Sequence, residues 1–222
     1  MYSLSDLTLY SRDVWLELLA TYNASIWPAQ LVAAVFGIGL TVLVASTGNG
    51  ARKVAYLGLG LCWLFVAVAF HHGDYTAINW MAHLYALLFI VQGILLIAFG
   101  LLSRQSPING SPRDFNRIAV CAILIALVAV PATGLIEGHT WNQLDYFGVA
   151  PDSTVLVTVG FLLAARRGSR WWLLIIPVIW ILISFVHSWP LGMFHGLVLL
   201  LLLLGYLTYF LSNPARGKVP EN

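Results

Sequence analysis

Charged residues are scarce in this chain, and their scarcity excludes an ordinary soluble domain. Only 9% of the 222 residues are Asp, Glu, Lys or Arg, whereas a soluble domain has about 25%. Hydrophobic residues make up 60% of the chain, and the mean hydropathy is +0.86. A chain of this length has room for about seven membrane spans of ~20 residues and little else. We therefore expect one helical membrane domain whose first partner is the lipid bilayer.

Lysine and cysteine are equally rare, and the scarcity of each excludes a class of protein. The only lysines, Lys53 and Lys218, fall outside the predicted spans, so no retinal Schiff base can form within a bundle. The two cysteines, Cys62 and Cys121, lie inside predicted spans without a Cys-x-x-Cys motif, which excludes a disulfide framework. The basic residues form no patch interleaved with aromatics, so no nucleic acid partner is expected. Histidines deep in facing helices are also lacking, and we expect no haem.

Seven apolar runs, each apolar on every face, are separated by short polar segments. This pattern is typical of membrane-spanning helices, and the runs are 26–47, 54–72, 78–102, 117–136, 153–165, 171–187 and 191–211. They predict an all-α integral membrane protein with seven transmembrane helices, or six if one run is merged or discarded. Residues 11–22 predict a short helix at the membrane interface. The predicted division is an outer interfacial segment (1–25), one membrane domain (26–212) and a disordered tail (213–222).

The basic residues give this topology an orientation. Ten of the eleven lie between spans one and two, three and four, five and six, or after span seven. Arg12 alone lies on the other side. Because loops rich in Lys and Arg stay in the cytoplasm, we expect the N-terminus outside and the C-terminus in the cytoplasm.

With this topology, all six histidines fall at the outer end of the bundle. Five lie at the ends of spans two, three, six and seven, and His139 lies in an outer loop. Imidazole is a ligand for copper and zinc, and carboxylates complete such sites. Ionisable groups at membrane depth are costly and usually have a function or a partner. The pattern predicts a transition-metal site, copper or zinc favoured, with ligands among His71, His72, His83, His187, His195 and Asp74.

Several alternatives stay open at this point. Because neighbours on an ideal helix differ by about 100°, we expect only one of His71 and His72 to face a cavity. Water or lipid headgroups can also satisfy a histidine at the interface, and His139 is expected to be ordinary. The site would serve metal handling or transport, or it would be the metal centre of a membrane metalloprotein. A zinc-dependent membrane hydrolase and a non-catalytic subunit of a membrane complex or homo-oligomer are the alternatives, so enzymatic activity is undecided.

Four short sequence segments along the chain resemble those of a family of multispanning bacterial proteins catalogued as a domain of unknown function, number 6064. They are residues 22–30 (YNASIWPAQ), 77–79 with 91–93, 147–151 (FGVAP) and 171–180. The resemblance covers nearly the whole chain in the same order. It implies a compact helical protein of the bacterial inner membrane and no assigned activity. It also places four polar residues where they could line the same cavity as the histidines: Asn23, Gln30, Asn79 and Gln92.

Overall fold

The structure, a computed structural model, describes residues 9–45, 49–102, 113–164 and 171–212, and every regular element in these ranges is helical. The predicted all-α fold is confirmed. The α-helices in chain order are α1 (Arg12–Ser25), α2 (Ala29–Ala45), α3 (Asn49–Phe65), α4 (Ala82–Leu102), α5 (Arg113–Ile136), α6 (Pro151–Ala164), α7 (Ile175–Ser188) and α8 (His195–Ser212). A π-helical segment, Val66–Asp74, continues α3. Short 3-10 turns are Tyr75–Ala77, Trp141–Gln143 and Trp171–Leu174.

Three helical stretches in the described ranges are long and apolar enough to cross a membrane: Gly50–Ala77, Ala82–Leu102 and Trp171–Ser188. A fourth is obtained if α1 and α2, bent by 87° to each other, form one broken span. The apolar parts of α5, α6 and α8 have only 10–17 residues. They fall short of the ~20 residues that a bilayer requires of a straight helix. Length and composition thus support three or four spans, and the prediction of seven exceeds that count.

The helix predicted near residues 11–22 is present as α1. Its first turn is capped by Ser11, whose hydroxyl oxygen accepts the Val14 N–H at 3.4 Å, a typical N-cap contact. The Tyr22 hydroxyl donates to the Val149 carbonyl oxygen at 2.6 Å, and Asn23 donates to two carbonyls of the α5–α6 loop. These bonds fasten α1 across one end of the bundle.

Helices α3 and α4 pack closely because glycines face each other. A Cβ atom at Gly60 would lie 2.8 Å from the Gly93 carbonyl oxygen, and one at Gly93 would lie 2.9 Å from that of Gly60. Only a residue without a side chain fits this distance, as at small-residue contacts between membrane helices. These two glycines therefore allow the close approach of α3 and α4.

Helix α6 is the centre of the bundle. Every residue from Pro151 to Leu162 is buried, so the helix is surrounded by protein on all sides. Its polar side chains are satisfied inside: Thr154 and Thr158 donate to carbonyls one turn back, and Thr158 accepts the Trp63 indole N–H at 2.9 Å. A short helix that is apolar all round is thus a core helix here.

Several sequence predictions fall outside the described residues. They concern the disordered tail at 213–222 and most of the basic residues on which the orientation rests, namely Arg104, Arg166, Arg167, Arg170, Arg216 and Lys218.

Candidate ligand-binding cleft

A cleft opens where α6 and α8 begin and α7 ends, and we call this end of the bundle the cleft end. It has about 350 Å³ of space between atoms, part of which is open to the exterior. Its walls come from the approach to α1, from the turn after the π-helical segment and from these three helices. The polar and aromatic residues that line it are Tyr10, Trp15, Tyr75, Asp152, Trp180, Ser184, His187, Ser188 and His195.

Asp152 joins three helices at the floor of this cleft. This residue is only 4% exposed. One carboxylate oxygen, Oδ1, accepts the Trp180 indole N–H at 2.8 Å, and Oδ2 accepts the Ser184 hydroxyl at 2.9 Å. The Nε2 atom of His195 lies 3.4 Å from the same Oδ2. Within the described ranges, His195 is the only basic side chain at ion-pairing distance from Asp152.

Asp145 holds the start of α6, and therefore Asp152, in place. Its two carboxylate oxygens accept the backbone N–H groups of Asp152 at 3.1 Å and of Ser153 at 2.9 Å. Pro151 precedes them as the first helical residue, where its missing N–H costs nothing. Burial and the neighbouring charge of Asp152 raise the pKa of Asp145 to about 8. Two carboxyl groups therefore meet at one helix terminus, and Asp145 binds a proton more readily than a free carboxyl group.

His187 enters the cleft with one ring nitrogen already engaged. Its Nδ1 lies 3.0 Å from the Ile183 carbonyl oxygen, and because a carbonyl only accepts, Nδ1 carries the hydrogen. Nε2 is then left with a lone pair. Gly192, with φ of +66°, makes the tight turn between α7 and α8. This turn brings His195 back to the same cleft as His187, although the two are eight residues apart.

An aromatic wall closes one side of the cleft. The hydroxyl oxygens of Tyr10 and Tyr75 lie 2.5 Å apart, and Asn79 donates to the Tyr75 hydroxyl at 3.0 Å. Trp15 stacks on Tyr10 with ring centroids 5.9 Å apart and contacts Tyr75 edge-on at 5.3 Å. These rings pack against one another, so the wall is a structural part of the cleft.

His71 lies outside the cleft and is fully buried. Neither ring nitrogen has a hydrogen-bond partner within the described part of the chain. Aromatic rings surround it, with centroids at 4.4 Å for Phe89, 4.9 Å for Trp180 and 6.0 Å for Tyr75. An orphaned buried imidazole is costly, and π-helical turns such as the one that carries it are frequent at functional sites. The Trp180 side chain contacts both His71 and Asp152.

His72 and His83 form a separate pair on the surface of the cleft end. Both side chains are exposed, and their ring centroids are 5.5 Å apart. Of His71 and His72, only His71 is buried and His72 is exposed, but neither of them lines the cleft. Asp74 is partly buried and does not line the cleft.

A second cleft beside the first contains His139, the histidine that was expected to be ordinary. The two clefts share Trp15, Asp152 and His195. The Nε2 atom of His139 lies 3.2 Å from the Arg12 guanidinium and 3.3 Å from the Glu137 carboxylate. Glu137 in turn accepts the backbone N–H of Phe194. This group therefore connects α1, the α5–α6 loop and the start of α8.

The predicted ligand set is divided among these places. His187 and His195 share the cleft, His72 and His83 form the surface pair, and His71 and Asp74 stand apart. In the described ranges, no three side chains of His, Cys, Asp or Glu are grouped closely enough to hold one metal ion as they stand. The four amide side chains in the segments that resemble the family are buried, and none of them lines the cleft. Gln30 and Gln92, for example, donate to the carbonyls of Asn23 and Leu173.

Sequence reasoning missed the residue at the centre of the cleft. Asp152 was not among the predicted ligands. The missed signal was its place directly after Pro151 in an otherwise apolar helix, because an ionisable group at the start of such a helix is costly unless it has a partner. Trp180 and Tyr10, which complete the site, have no sequence pattern that distinguishes them from interfacial aromatics.

A family model described as "Family of unknown function (DUF6064)" matches residues 12–216 of the chain. Neither a curated protein nor a solved structure matches it.

Proposed function

The chain belongs to the family of unknown function DUF6064, and we propose that it is a membrane protein that binds a transition metal ion in the cleft. The ligands are Asp152, His195 and His187, and copper or zinc is the ion. The protein serves metal handling or transport, or it acts as a membrane metalloprotein. In this arrangement α1 lies at the membrane surface, and the cleft opens to the extracytoplasmic side.

The observation that carries the proposal is the pair of Asp152 Oδ2 and His195 Nε2. Their separation of 3.4 Å is longer than a usual N–H···O hydrogen bond. Two ligand atoms on one tetrahedral zinc ion, each about 2.1 Å from the metal, are also separated by roughly 3.4 Å. The pair therefore has the spacing of one edge of a coordination tetrahedron.

His187 supplies the third ligand after a change of its side-chain rotamer. In the present rotamer its Nδ1–H donates to the Ile183 carbonyl oxygen at 3.0 Å, and this bond is given up when the ring turns to bring Nε2 to the metal. The hydrogen bonds of Trp180 and Ser184 to Asp152 orient the carboxylate, as the hydrogen-bond partners of many metal ligands do. The fourth position is left to water or to a substrate.

Charge balance also favours a cation in this place. Asp152 is buried, and Asp145 lies beside it, with His195 as the one basic side chain at ion-pairing distance in the described ranges. Buried charges are stable only when they are paired. A metal ion bound by Asp152 compensates this buried negative charge.

Metal content of the purified protein tests the proposal. The protein, without a polyhistidine tag, is loaded with Cu²⁺ or Zn²⁺ and dialysed against a weak chelator, and bound metal is measured by mass spectrometry. We expect one retained ion per chain. Asp152→Asn and His195→Gln should abolish retention, and Trp180→Phe should weaken binding by about 10–100-fold, as losses of orienting contacts do.

Asp13→Asn is the matched control, because Asp13 is an exposed acid on α1. It should retain the ion as the unchanged protein does. Absence of retained metal from the unchanged protein, or retention in an Asp152→Asn, His195→Gln double variant, would overturn the proposal.

The two alternatives remain predictions. A zinc-dependent hydrolase requires the same ion with an open coordination position, so it becomes testable once the metal is identified. A non-catalytic subunit predicts no metal and a lasting protein partner, and no contact in the described residues favours it.

A further inference from the structure

We propose that His72 and His83 form a second, exposed site for a transition metal ion at the cleft end. The two residues lie on different elements, the end of the π-helical segment and the first turn of α4. Neither lines the cleft. The site therefore has its own ligands and does not depend on the ion proposed for Asp152.

The spacing of the rings fits two ligands of one ion. Their centroids are 5.5 Å apart, and the ring planes are inclined by 56°. Two imidazoles on one tetrahedral ion, with metal–nitrogen distances of about 2 Å, have ring centres roughly 5 Å apart. Small rotations of two exposed side chains complete the geometry.

The backbone between the two histidines is held in a fixed turn. The Thr76 hydroxyl donates to the His72 carbonyl at 3.1 Å, and the Asn79 side chain accepts the Met81 N–H at 2.9 Å. Asn79 also donates to the Tyr75 hydroxyl. Because the turn is tied at both ends, the two rings are presented together before any ion arrives, and little ordering remains to oppose binding.

The ring nitrogens are available to an ion. In the described residues, no hydrogen bond or ion pair engages either ring, and the one described interaction of each is with the other ring. Two imidazoles select Cu²⁺, Ni²⁺ or Zn²⁺ over Mg²⁺ and Ca²⁺, which prefer oxygen ligands. With water in the remaining positions, the ion exchanges readily.

The position of the pair suggests what such a site does. Tyr75 follows His72 by three residues and lines the cleft. An ion captured by the pair is therefore held at the same end of the bundle as Asp152 and His195. Delivery from the pair to the cleft rests on the proposed function, but binding at the pair does not.

Copper titration tests the site with a spectroscopic readout. The tag-free protein carrying Asp152→Asn and His195→Gln, which lacks two of the three proposed cleft ligands, is titrated with Cu²⁺ and followed by electron paramagnetic resonance. We expect one exchangeable ion per chain whose spectrum shows coupling to two nitrogens. His72→Gln or His83→Gln in this background should leave a one-nitrogen spectrum and weaken binding at least tenfold. In the protein with both substitutions, the copper spectrum with nitrogen coupling should be absent.

His139→Gln in the same background is the control, because it removes a histidine of the second cleft and leaves both members of the pair in place. Its spectrum and affinity should equal those of the parent. A spectrum that is insensitive to both His72→Gln and His83→Gln would overturn the second site while leaving the cleft proposal untouched. Loss of retained metal in the cleft experiment, with a normal two-nitrogen copper signal here, would overturn only the proposed function.

Discussion

The hydroxyl oxygens of Tyr10 and Tyr75 lie 2.5 Å apart, although 65 residues separate them in the chain. This bond fastens the segment before α1 to the turn after the π-helical segment. It also closes the aromatic wall of the cleft that contains Asp152 and His195. Burial and the neighbouring Tyr75 raise the pKa of Tyr10 far above its ordinary value, so both groups stay protonated and the bond is neutral at physiological pH.

Tyr10→Phe should destabilise the protein by about 1 kcal/mol, the typical net value of a lost hydrogen bond. For a chain of this size that is a decrease of roughly 2–4 °C in the melting temperature. Thermal unfolding in detergent measures it. Tyr146→Phe is the matched control, since its hydroxyl bonds a carbonyl at an exposed position, and its effect should be smaller. Equal effects of the two substitutions would contradict a structural role of the Tyr10–Tyr75 bond.

His71→Leu should stabilise the fold, because it removes two buried nitrogens that have no partner in the described structure. Leaving a buried polar group unsatisfied costs about 1–3 kcal/mol, and the gain should approach that value. His71→Asn, which keeps a polar group among the same rings, should not stabilise. The melting temperatures of the three proteins are compared.

Metal retention in the same variants tests the sequence prediction that His71 is a ligand. If His71→Leu raises stability and leaves metal retention intact, His71 is not a ligand. Loss of retained metal despite a higher melting temperature would show that the ring reaches the ion in the working state.

Acidification should lower the thermal stability of the protein through the protonation of His139. Burial lowers the pKa of His139 below its ordinary value of 6.5, so the folded state binds fewer protons than the unfolded state around that pH. Its contribution to stability is then present above pH 6.5 and is lost as the pH falls through the lowered value. Melting temperatures from pH 8 to pH 5 should decline less in His139→Gln than in the unchanged protein. Parallel curves for the two proteins would contradict this assignment.

Gly60→Ala should separate α3 from α4 and destabilise by about 1–3 kcal/mol, as overpacking does. The added methyl group would lie 2.8 Å from the Gly93 carbonyl oxygen, which belongs to the backbone and cannot rotate away. Gly39→Ala on α2 is the control, because nothing lies within 4 Å of its Cβ position. It should be neutral or stabilise by up to ~1 kcal/mol through helix propensity. Chemical or thermal unfolding of the two variants distinguishes the outcomes.

Local patterns in the sequence predicted the helices but not how many of them cross a membrane. All-round apolarity predicted the helical class and most of the helix positions, since a 20-residue run without charges has few alternatives to a helix. The same property cannot distinguish a helix in lipid from one surrounded by protein. Helix α6 was therefore read as a short span, whereas the structure places it at the centre of the bundle.

The sequence predicted a candidate site at one end of the bundle and a set of six ligands, and its metal stays a prediction. His187 and His195, two of the six, line one cleft because a short turn joins their helices. Asp152 was missed because its partners, Trp180 on α7 and His195 on α8, are 28 and 43 positions away in sequence, and no local pattern encodes those contacts.

The amino-acid sequence by itself determined the all-α class and the position of five histidines near the ends of helical segments, because both follow from hydropathy and residue order along single segments. Only the tertiary structure decided that His71 turns into an aromatic shell, that His72 meets His83 and that Asp152 faces His195. Each of these depends on how helices rotate and pack against neighbours distant in sequence. A π-helical turn, a pair of facing glycines or a central α6 sets that rotation, and none of them has a signal in hydropathy.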